Sequence, residues 1–317
     1  MRILDRSIRY RVEPAAARGA RAWRTTAAAI TAALAAVVLS SPDAAAQTAY
    51  PSAEAAADAF TAAVESRDAE AQKKLLGDDW KKFIPAEDID DEDRKRYLEA
   101  WNKSHAVVTD DEGLTMVEVG EKGWTLPIPI VQTDEGWVFD VAAGADEMKT
   151  RRIGRNELAT INAVLAYYDA QRDYALRDRN GDGVLEYAQR VISTPGHKDG
   201  LYWARLDGEE ASPLGPVFGE DQPGRSYHGY FYRILEGQGP AAKRGARNYM
   251  LAGRMVGGFA LIAWPVTWDD TGVMTFMISH AGVVYESDLG SETDKRARAV
   301  DVFNPDDTWT EVEVVDD

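Results

Sequence analysis

The chain has 317 residues, of which 45% are hydrophobic, and its formal net charge is −17. This acidity argues against nucleic-acid and anionic-membrane partners, because both require positive patches on the protein. The chain contains no cysteine, which excludes disulfides, thiolate nucleophiles, zinc–thiolate sites and a lipoprotein anchor.

The N-terminal segment has the pattern of a secretory signal peptide. Arg18, Arg21 and Arg24 precede an apolar run at residues 27–39, and alanines at 44–46 supply an A-x-A site. We expect cleavage after residue 46 and a periplasmic or secreted mature protein. Residues 1–46 carry seven arginines against three acidic residues, so their removal takes the net charge to −21. The alternative is an uncleaved anchor or a core helix, but a membrane span needs about 20 apolar residues.

Residues 47–150 predict a first α+β domain. Ser52 can cap a helix that runs to about residue 66, a second helix follows at 70–76, and the acidic stretch 87–93 suits the start of a third. Period-two runs then predict strands at 114–119, 124–131 and 137–141. Pro127 and Pro129 make the middle strand an edge or a bulged strand. Helices followed by a curved antiparallel sheet resemble the cone-shaped NTF2-like fold.

Residues 151–317 predict a second α+β domain. Leu158, Ile161 and Leu165 form the apolar stripe of a helix at about 156–176. After a turn-rich region, strands are expected at 227–235, 255–266, 273–278 and 283–286, with Gly257 and Gly258 weakening or bulging the second. A long helix, an irregular loop and an antiparallel sheet resemble the globular head of type IV pilins and pseudopilins, without the hydrophobic N-terminal helix of those proteins.

Residues 178–186 have the spacing of an EF-hand-like loop. Acidic and amide side chains fall at its positions one, three and five, Gly183 falls at the sharp turn, and Gln189 replaces the usual glutamate at position twelve. The predicted ligands are Asp178, Asn180, Asp182, the carbonyl of Val184 and Glu186. The pattern predicts a single weak calcium site. The alternative is an Asx-rich turn that needs no metal.

Signatures of catalysis are weak elsewhere in the sequence. Ser193 and Ser226 lack the G-x-S-x-G pattern of a nucleophilic serine. The four histidines lack metal-binding spacing, so we interpret these histidines as structural. These histidines are His105, His197, His228 and His280. Alternation predicts Tyr227 and Phe231 on one face of a strand, with Tyr230 and Tyr232 on the other. This aromatic series either packs in the core or forms a platform for sugar.

Several short stretches carry a family resemblance. They are residues 137–140, 151–158, 168–172, 182–189, 193–196, 199–203, 212–216, 227–230, 257–260 and 273–276. Through them the chain resembles the exported bacterial domain-of-unknown-function family 2950 (DUF2950). The resemblance implies a bacterial exported protein and no established activity. Ala281 departs from it, because a more polar turn residue is expected there.

These observations predict a non-enzymatic, exported protein that binds or assembles in the cell envelope. Its expected partner is an envelope protein or a glycan, and calcium would stabilise it. The alternative is an envelope hydrolase that acts on glycan or peptide. A deep pocket lined by paired acids, or by histidine with serine or aspartate, would favour the hydrolase, whereas a shallow surface with aromatic patches would favour the binding protein.

Overall fold

The protein is an α+β protein whose paired strands are all antiparallel in the part of the chain that is described, which confirms the predicted class. The computed structural model describes residues 10–11, 47–84, 90–110, 113–179, 181–204, 210–215, 226–313 and 315–316. The predicted signal peptide lies outside these residues, apart from a two-residue pairing of Tyr10–Arg11 with Val315–Asp316. Two compact units divide the chain after Arg151. We call them the N-terminal and C-terminal units.

Three helices begin the N-terminal unit. They are α1 (Ala53–Ser66), α2 (Ala69–Leu76) and α3 (Asp91–Lys103), with a short 3₁₀ turn at Trp80–Lys82. The predicted cap at Ser52 is confirmed, since its side chain accepts a hydrogen bond from the backbone of Ala55. Asp90 caps α3 in a capping box, so the acidic residues at this point start a helix as predicted.

The sheet of the N-terminal unit has five strands. They are β1 (His105–Thr109), β2 (Thr115–Val119), β3 (Trp124–Thr125), β4 (Ile130–Thr133) and β5 (Gly136–Phe139). Their order is β1-β2-β4-β5, and β3 pairs with β2. The predicted strand 124–131 is therefore interrupted between β3 and β4, where Pro127 and Pro129 cannot donate to a ladder. After the 3₁₀ turn, Phe83 is 47% exposed, whereas Ile84 is buried.

Helix α4 (Val141–Tyr174) is longer than the helix predicted at about 156–176. It begins at Val141 because the carboxylate of Asp140 accepts a hydrogen bond of 2.9 Å from the backbone of Ala143. Residues 141–155 mix small, polar and charged side chains, so the apolar periodicity that marks the later turns is missing there.

The main sheet of the C-terminal unit also has five strands. They are β6 (Tyr230–Leu235), β11 (Ala260–Pro265), β12 (Met274–Ser279), β13 (Val284–Asp288) and β14 (Thr310–Glu311), in the order β14-β13-β12-β11-β6. Two-residue strands pair beside it: β7 (Gly237–Gln238) with β8 (Arg247–Asn248), and β9 (Met250–Leu251) with β10 (Arg254–Met255). Helix α5 spans Thr293–Arg298, after a 3₁₀ turn at Gly290–Glu292.

The core of the C-terminal unit lies between α4 and this sheet. Ile161 and Val164 of the helix belong to the same buried cluster as Leu261 and Phe276 of the sheet. The hydroxyl of Tyr167 also donates a hydrogen bond to the carbonyl of Ala260. Among the described residues, no helix combines the length and apolar character that a membrane crossing requires.

Candidate functional site

The predicted calcium loop is a turn built around one carboxylate. Asp178 Oδ1 accepts hydrogen bonds from the backbone N–H groups of Gly181 (2.7 Å) and Asp182 (3.3 Å), and Oδ2 accepts one from Gly183 (2.7 Å). Asn180, another predicted ligand, lies outside the described residues. The carboxylate of Asp178 thus organises its own loop in the manner of an Asx turn.

Asp182 faces a cation from a distant part of the chain. Its Oδ2 atom lies 2.6 Å from Nη2 of Arg254 and accepts a hydrogen bond from Nε, while Oδ1 accepts one from the backbone of Val184. Burial raises the pKa of Glu186, the negative charge of Asp182 raises it further, and Arg254 opposes the shift. The carboxylates therefore lie close enough to repel one another, and Arg254 neutralises part of that charge.

Within the described ranges, no group of three or more His, Cys, Asp or Glu side chains is arranged to hold a metal ion. The loop contains four of the five predicted ligands in the described part of the chain: Asp178, Asp182, Val184 and Glu186. The calcium site stays a prediction. Any ion there would compete with Arg254 for Asp182.

The start of this loop is clamped by Arg179. Its guanidinium lies 5.2 Å from the ring centroids of both Tyr174 and Trp203, and Nη1 lies 2.9 Å from a carboxylate oxygen of Glu210. Only 4% of the Arg179 side chain is exposed. Aromatic faces on both sides and a charged partner hold this cation in place.

The far end of the loop is held by Gln171 of α4. Its Nε2 atom donates a hydrogen bond to the carbonyl of Ala188, and its Oε1 atom accepts one from the N–H of the same residue, both at 2.8 Å. The backbone of Tyr187 next pairs with that of Met255. The loop is thus fixed at both ends, with residues 181–186 between them.

The four histidines lie on different elements. His197 sits in a turn, where its N–H donates to the carbonyl of Thr194, and His228 adopts a left-handed backbone with φ 49°. His105 stacks on Trp101, and His280 packs edge-on against Tyr249.

The aromatic series at 227–232 is buried at Tyr230 and half-buried at its other three rings, which favours the packing alternative. Tyr230 is fully buried, and Tyr232 donates a hydrogen bond toward Thr160 of α4. Tyr227 precedes the strand, and its ring lies 6.4 Å from that of Tyr232. The predicted pairing of Tyr227 with Phe231 on one face is therefore wrong, because the strand begins only at Tyr230 and alternation does not extend back to Tyr227.

A different group of rings reaches the surface of the N-terminal unit. Tyr97, Trp101 and His105 follow one another at four-residue spacing from α3 into β1, and Trp124 comes from β3. His105 stacks on Trp101 with ring centroids 3.8 Å apart, and Tyr97 lies 6.3 Å from Trp101 and 6.4 Å from Trp124. We call these four residues the aromatic row.

The aromatic row is anchored to α1 through Tyr97, and the members at its two ends are exposed to solvent. The hydroxyl of Tyr97 shares a hydrogen bond of 2.9 Å with Thr61, and burial raises the pKa of Tyr97 to about 12. Trp124 is 48% exposed and His105 is also exposed. The four-residue spacing from Tyr97 to His105 was the signal in the sequence that could have revealed this row.

The N-terminal unit also contains an open cavity of about 390 Å³ between α1, α2 and the segment before α1. Its walls include Thr48, Tyr50, Ala63, Lys74 and Leu75. Among the described residues that line it, none carries a carboxylate or an imidazole. The cavity therefore lacks the acid–base pair that hydrolysis of a glycan or a peptide requires.

Comparison with known proteins gives one result. A family model described as "Protein of unknown function (DUF2950)" matches residues 47–312. No curated protein and no solved structure matches the chain. The likenesses of the two units to an NTF2-like cone and to a pilin head stay predictions that rest on the order of their elements.

Proposed function

The chain belongs to the DUF2950 family of proteins of unknown function, and from that premise we propose that it is an exported protein that binds or assembles in the cell envelope without catalysing a reaction. Export is supported by the basic, apolar and small-residue order of residues 18–46. The aromatic row supports binding. The C-terminal unit, with a long helix packed on an antiparallel sheet, supports an assembly role by its likeness to pilin heads.

The aromatic row is the observation that carries the binding proposal. Aromatic side chains offer large apolar contact areas and lose little conformational freedom when they bind, which is why binding surfaces are enriched in them. In this row the rings are already ordered by stacking and by the Tyr97–Thr61 hydrogen bond. Trp124 and His105 leave its two ends exposed to a glycan or to an envelope protein.

Co-sedimentation with isolated peptidoglycan and capture from envelope extract test the proposal. The mature protein should be retained by one of these two fractions, and the double variant Trp101→Ala/Trp124→Ala should lose that retention. Trp80→Ala is the matched control, because Trp80 lies in the same unit outside the row. Equal retention of all three proteins, or no retention of the wild type, would contradict the binding role.

The hydrolase alternative has a direct test. Incubation of the mature protein with peptidoglycan fragments and envelope peptides should leave their masses unchanged. The cavity gives the alternative no support, since none of the described residues that line it carries a carboxylate or an imidazole. The appearance of cleavage products that depend on one side chain of this protein would replace the binding proposal.

Calcium is proposed as a stabilising ligand of the loop at Asp178, Asn180, Asp182, Val184 and Glu186. Three carboxylates in one turn and a calcium-accessible compartment support it. A free calcium concentration of one hundred times the dissociation constant would add about 2.7 kcal/mol to the free energy of unfolding. We expect millimolar calcium to raise the Tm of the wild type and of Asp173→Ala relative to chelator, but not that of Asp182→Ala. A wild type without a calcium-dependent shift would make the loop a plain turn.

A further inference from the structure

The loop between β7 and β8 is locally basic in an acidic protein. Lys243, Arg244 and Arg247 fall within five residues of a chain whose net charge is −17, and all three are exposed. Within the described part of the chain, none of them forms an ion pair with a carboxylate. Like charges that are close together and lack counter-charges repel one another, so this arrangement is unfavourable until an anion joins it.

Buried side chains hold this loop in shape. Gln238 is almost fully buried and donates hydrogen bonds through Nε2 to the carbonyls of Lys243 (3.0 Å) and Gly245 (2.6 Å). Its Oε1 atom accepts a hydrogen bond from the hydroxyl of Tyr249. Arg244 is held with a φ of 74°, a left-handed conformation that is unfavourable for a residue other than glycine. Strain of this kind persists where the surroundings impose it, and it clusters at functional sites.

His280, which directly follows β12, lies beside the same loop, because its ring packs edge-on against Tyr249, the residue after β8, with ring centroids 5.4 Å apart. Its Nδ1 atom is buried and has no hydrogen-bond partner among the described residues, and it lies where a side chain at Gly258 would clash with it. The residue remains partly exposed. Burial lowers the pKa of His280, and the positive charges of Arg247 and Arg244 lower it further. The Nη1 atom of Arg247 donates a hydrogen bond of 3.0 Å to the carbonyl of Gly257, the residue before the Gly258 backbone against which His280 lies.

We propose that Arg244, Arg247 and His280 form a binding site for a phosphate-type oxyanion, which is either a free phosphate group or the phosphate of a lipid headgroup. Guanidinium groups bind such oxyanions through paired, charge-assisted hydrogen bonds. The Nε2 atom of the imidazole supplies a further donor when it carries the proton. Lys243 adds positive charge at the rim. The site lies in the C-terminal unit and does not depend on the role proposed for the aromatic row.

Titration of the mature protein with inorganic phosphate at low salt tests the site. We expect a saturable change in the imidazole NMR signal of His280 and a rise in its pKa, because a bound anion favours the charged ring. Arg244→Gln/Arg247→Gln should weaken phosphate binding at least about tenfold. Lys122→Gln/Arg296→Gln removes the same charge from two other exposed cations and should bind phosphate like the wild type.

A single substitution separates the effect of the guanidinium's geometry on phosphate binding from the effect of its positive charge. Arg247→Lys keeps the positive charge but loses the planar fork of donors, so its phosphate affinity should fall between those of the wild type and the double glutamine variant. Circular dichroism melting of each variant checks that the fold is retained. A His280 signal that does not saturate, or that responds equally in the wild type and in the Arg244→Gln/Arg247→Gln variant, would overturn the proposal.

Vesicles distinguish the two sources of phosphate. Co-sedimentation with phosphatidylglycerol vesicles, but not with phosphatidylcholine vesicles, would assign the site to an anionic headgroup. Saturable binding of inorganic phosphate without sedimentation on either vesicle would assign it to a soluble phosphate compound. Both results support the site, provided that Arg244→Gln/Arg247→Gln loses the interaction and Lys122→Gln/Arg296→Gln keeps it.

Discussion

At the scale of single residues, the stretches that carry the family resemblance serve the fold. Glu157 is buried, and its Oε1 atom accepts hydrogen bonds of 3.0 Å from the N–H groups of Val273 and Met274. Asn156 donates to the carbonyl of Thr271. Each of these side chains satisfies backbone groups at the start of β12 that would otherwise be costly to bury.

Replacing Gln171 should be among the most destabilising changes in the C-terminal unit. Gln171→Leu leaves the N–H and C=O groups of Ala188 and the hydroxyl of Tyr167 without this partner. We expect a loss of about 2–4 kcal/mol in the free energy of unfolding, measured by chemical denaturation. The control Gln189→Leu removes one exposed hydrogen bond to Gly253 and should cost about 0.5 kcal/mol or less. Equal losses would show that the Gln171 network is not essential.

His280 should make stability depend on acid. Its pKa is lowered in the folded protein from the ordinary value of 6.5, chiefly by burial, so the unfolded chain takes up this proton first. Protonation of His280 therefore lowers the free energy of unfolding as the pH falls below about 6.5. Above that pH the residue is neutral in both states, so this destabilisation is absent. His280→Gln should show a smaller loss of Tm between pH 8 and pH 5 than the wild type. An unchanged slope would mean that His280 titrates alike in both states.

At the scale of elements, the loop after α4 is held in shape by contacts at its two ends. Arg179 packs between two aromatic rings at one end, and Gln171 holds the other end. The acidic positions between them take their shape from Asp178 and share Arg254 as a counter-charge. An ion would therefore enter a preformed turn and would not have to fold it.

Arg179→Ala should loosen this loop, and Arg177→Ala should not. Both arginines pair with Glu210, but the Arg179 side chain is 4% exposed and that of Arg177 is 65% exposed. Loss of the buried guanidinium removes two cation–π contacts and leaves Glu210 with only its exposed partner, Arg177. We expect a loss of about 2–3 kcal/mol in unfolding free energy. Loss of the exposed pair should cost about 0.5 kcal/mol or less. Amide exchange at residues 181–186 would report the loosening, and equal exchange in both variants would refute the clamp.

Element types could be predicted more reliably than element bounds. The cap at Ser52 and the apolar stripe of α4 are local patterns, so both were visible in the sequence. The early turns of α4 were missed because charged residues interrupt the apolar periodicity there. Strand β1 was missed because buried and exposed side chains do not alternate along it. Strand 255–266 broke at Gly257, where a side chain would lie 2.6 Å from the carbonyl oxygen of Asn248.

At the scale of the whole molecule, stability must come from packing. The chain has no cysteine, and each unit has its own buried cluster. The predicted mature charge of −21 opposes compaction through self-repulsion. Against that background, the cations at 243–247, which form no ion pair with a carboxylate among the described residues, are a local exception.

Export should be sensitive to the identity of the residues at the A-x-A site. Ala46→Phe should block removal of the leader, because the cleavage site requires a small residue there, whereas Ala45→Phe changes the permissive middle position and should be processed. N-terminal sequencing by mass spectrometry should find Gln47, or a residue within a few positions of it, at the start of the wild-type envelope protein. Recovery of residues 1–24 on that protein would contradict export by a cleaved leader.

The sequence by itself determined the family, the α+β class, the acidic character and the approximate places of most long elements, because composition and periodicity are local properties. Only the tertiary structure decided which rings are exposed, since Tyr230 is buried and Trp124 is not. It also brought Arg254 to Asp182 across 72 residues and packed His280 against Tyr249 beside the basic loop. Contacts between residues so far apart depend on how the strands pair, and no local pattern in a single sequence records that pairing.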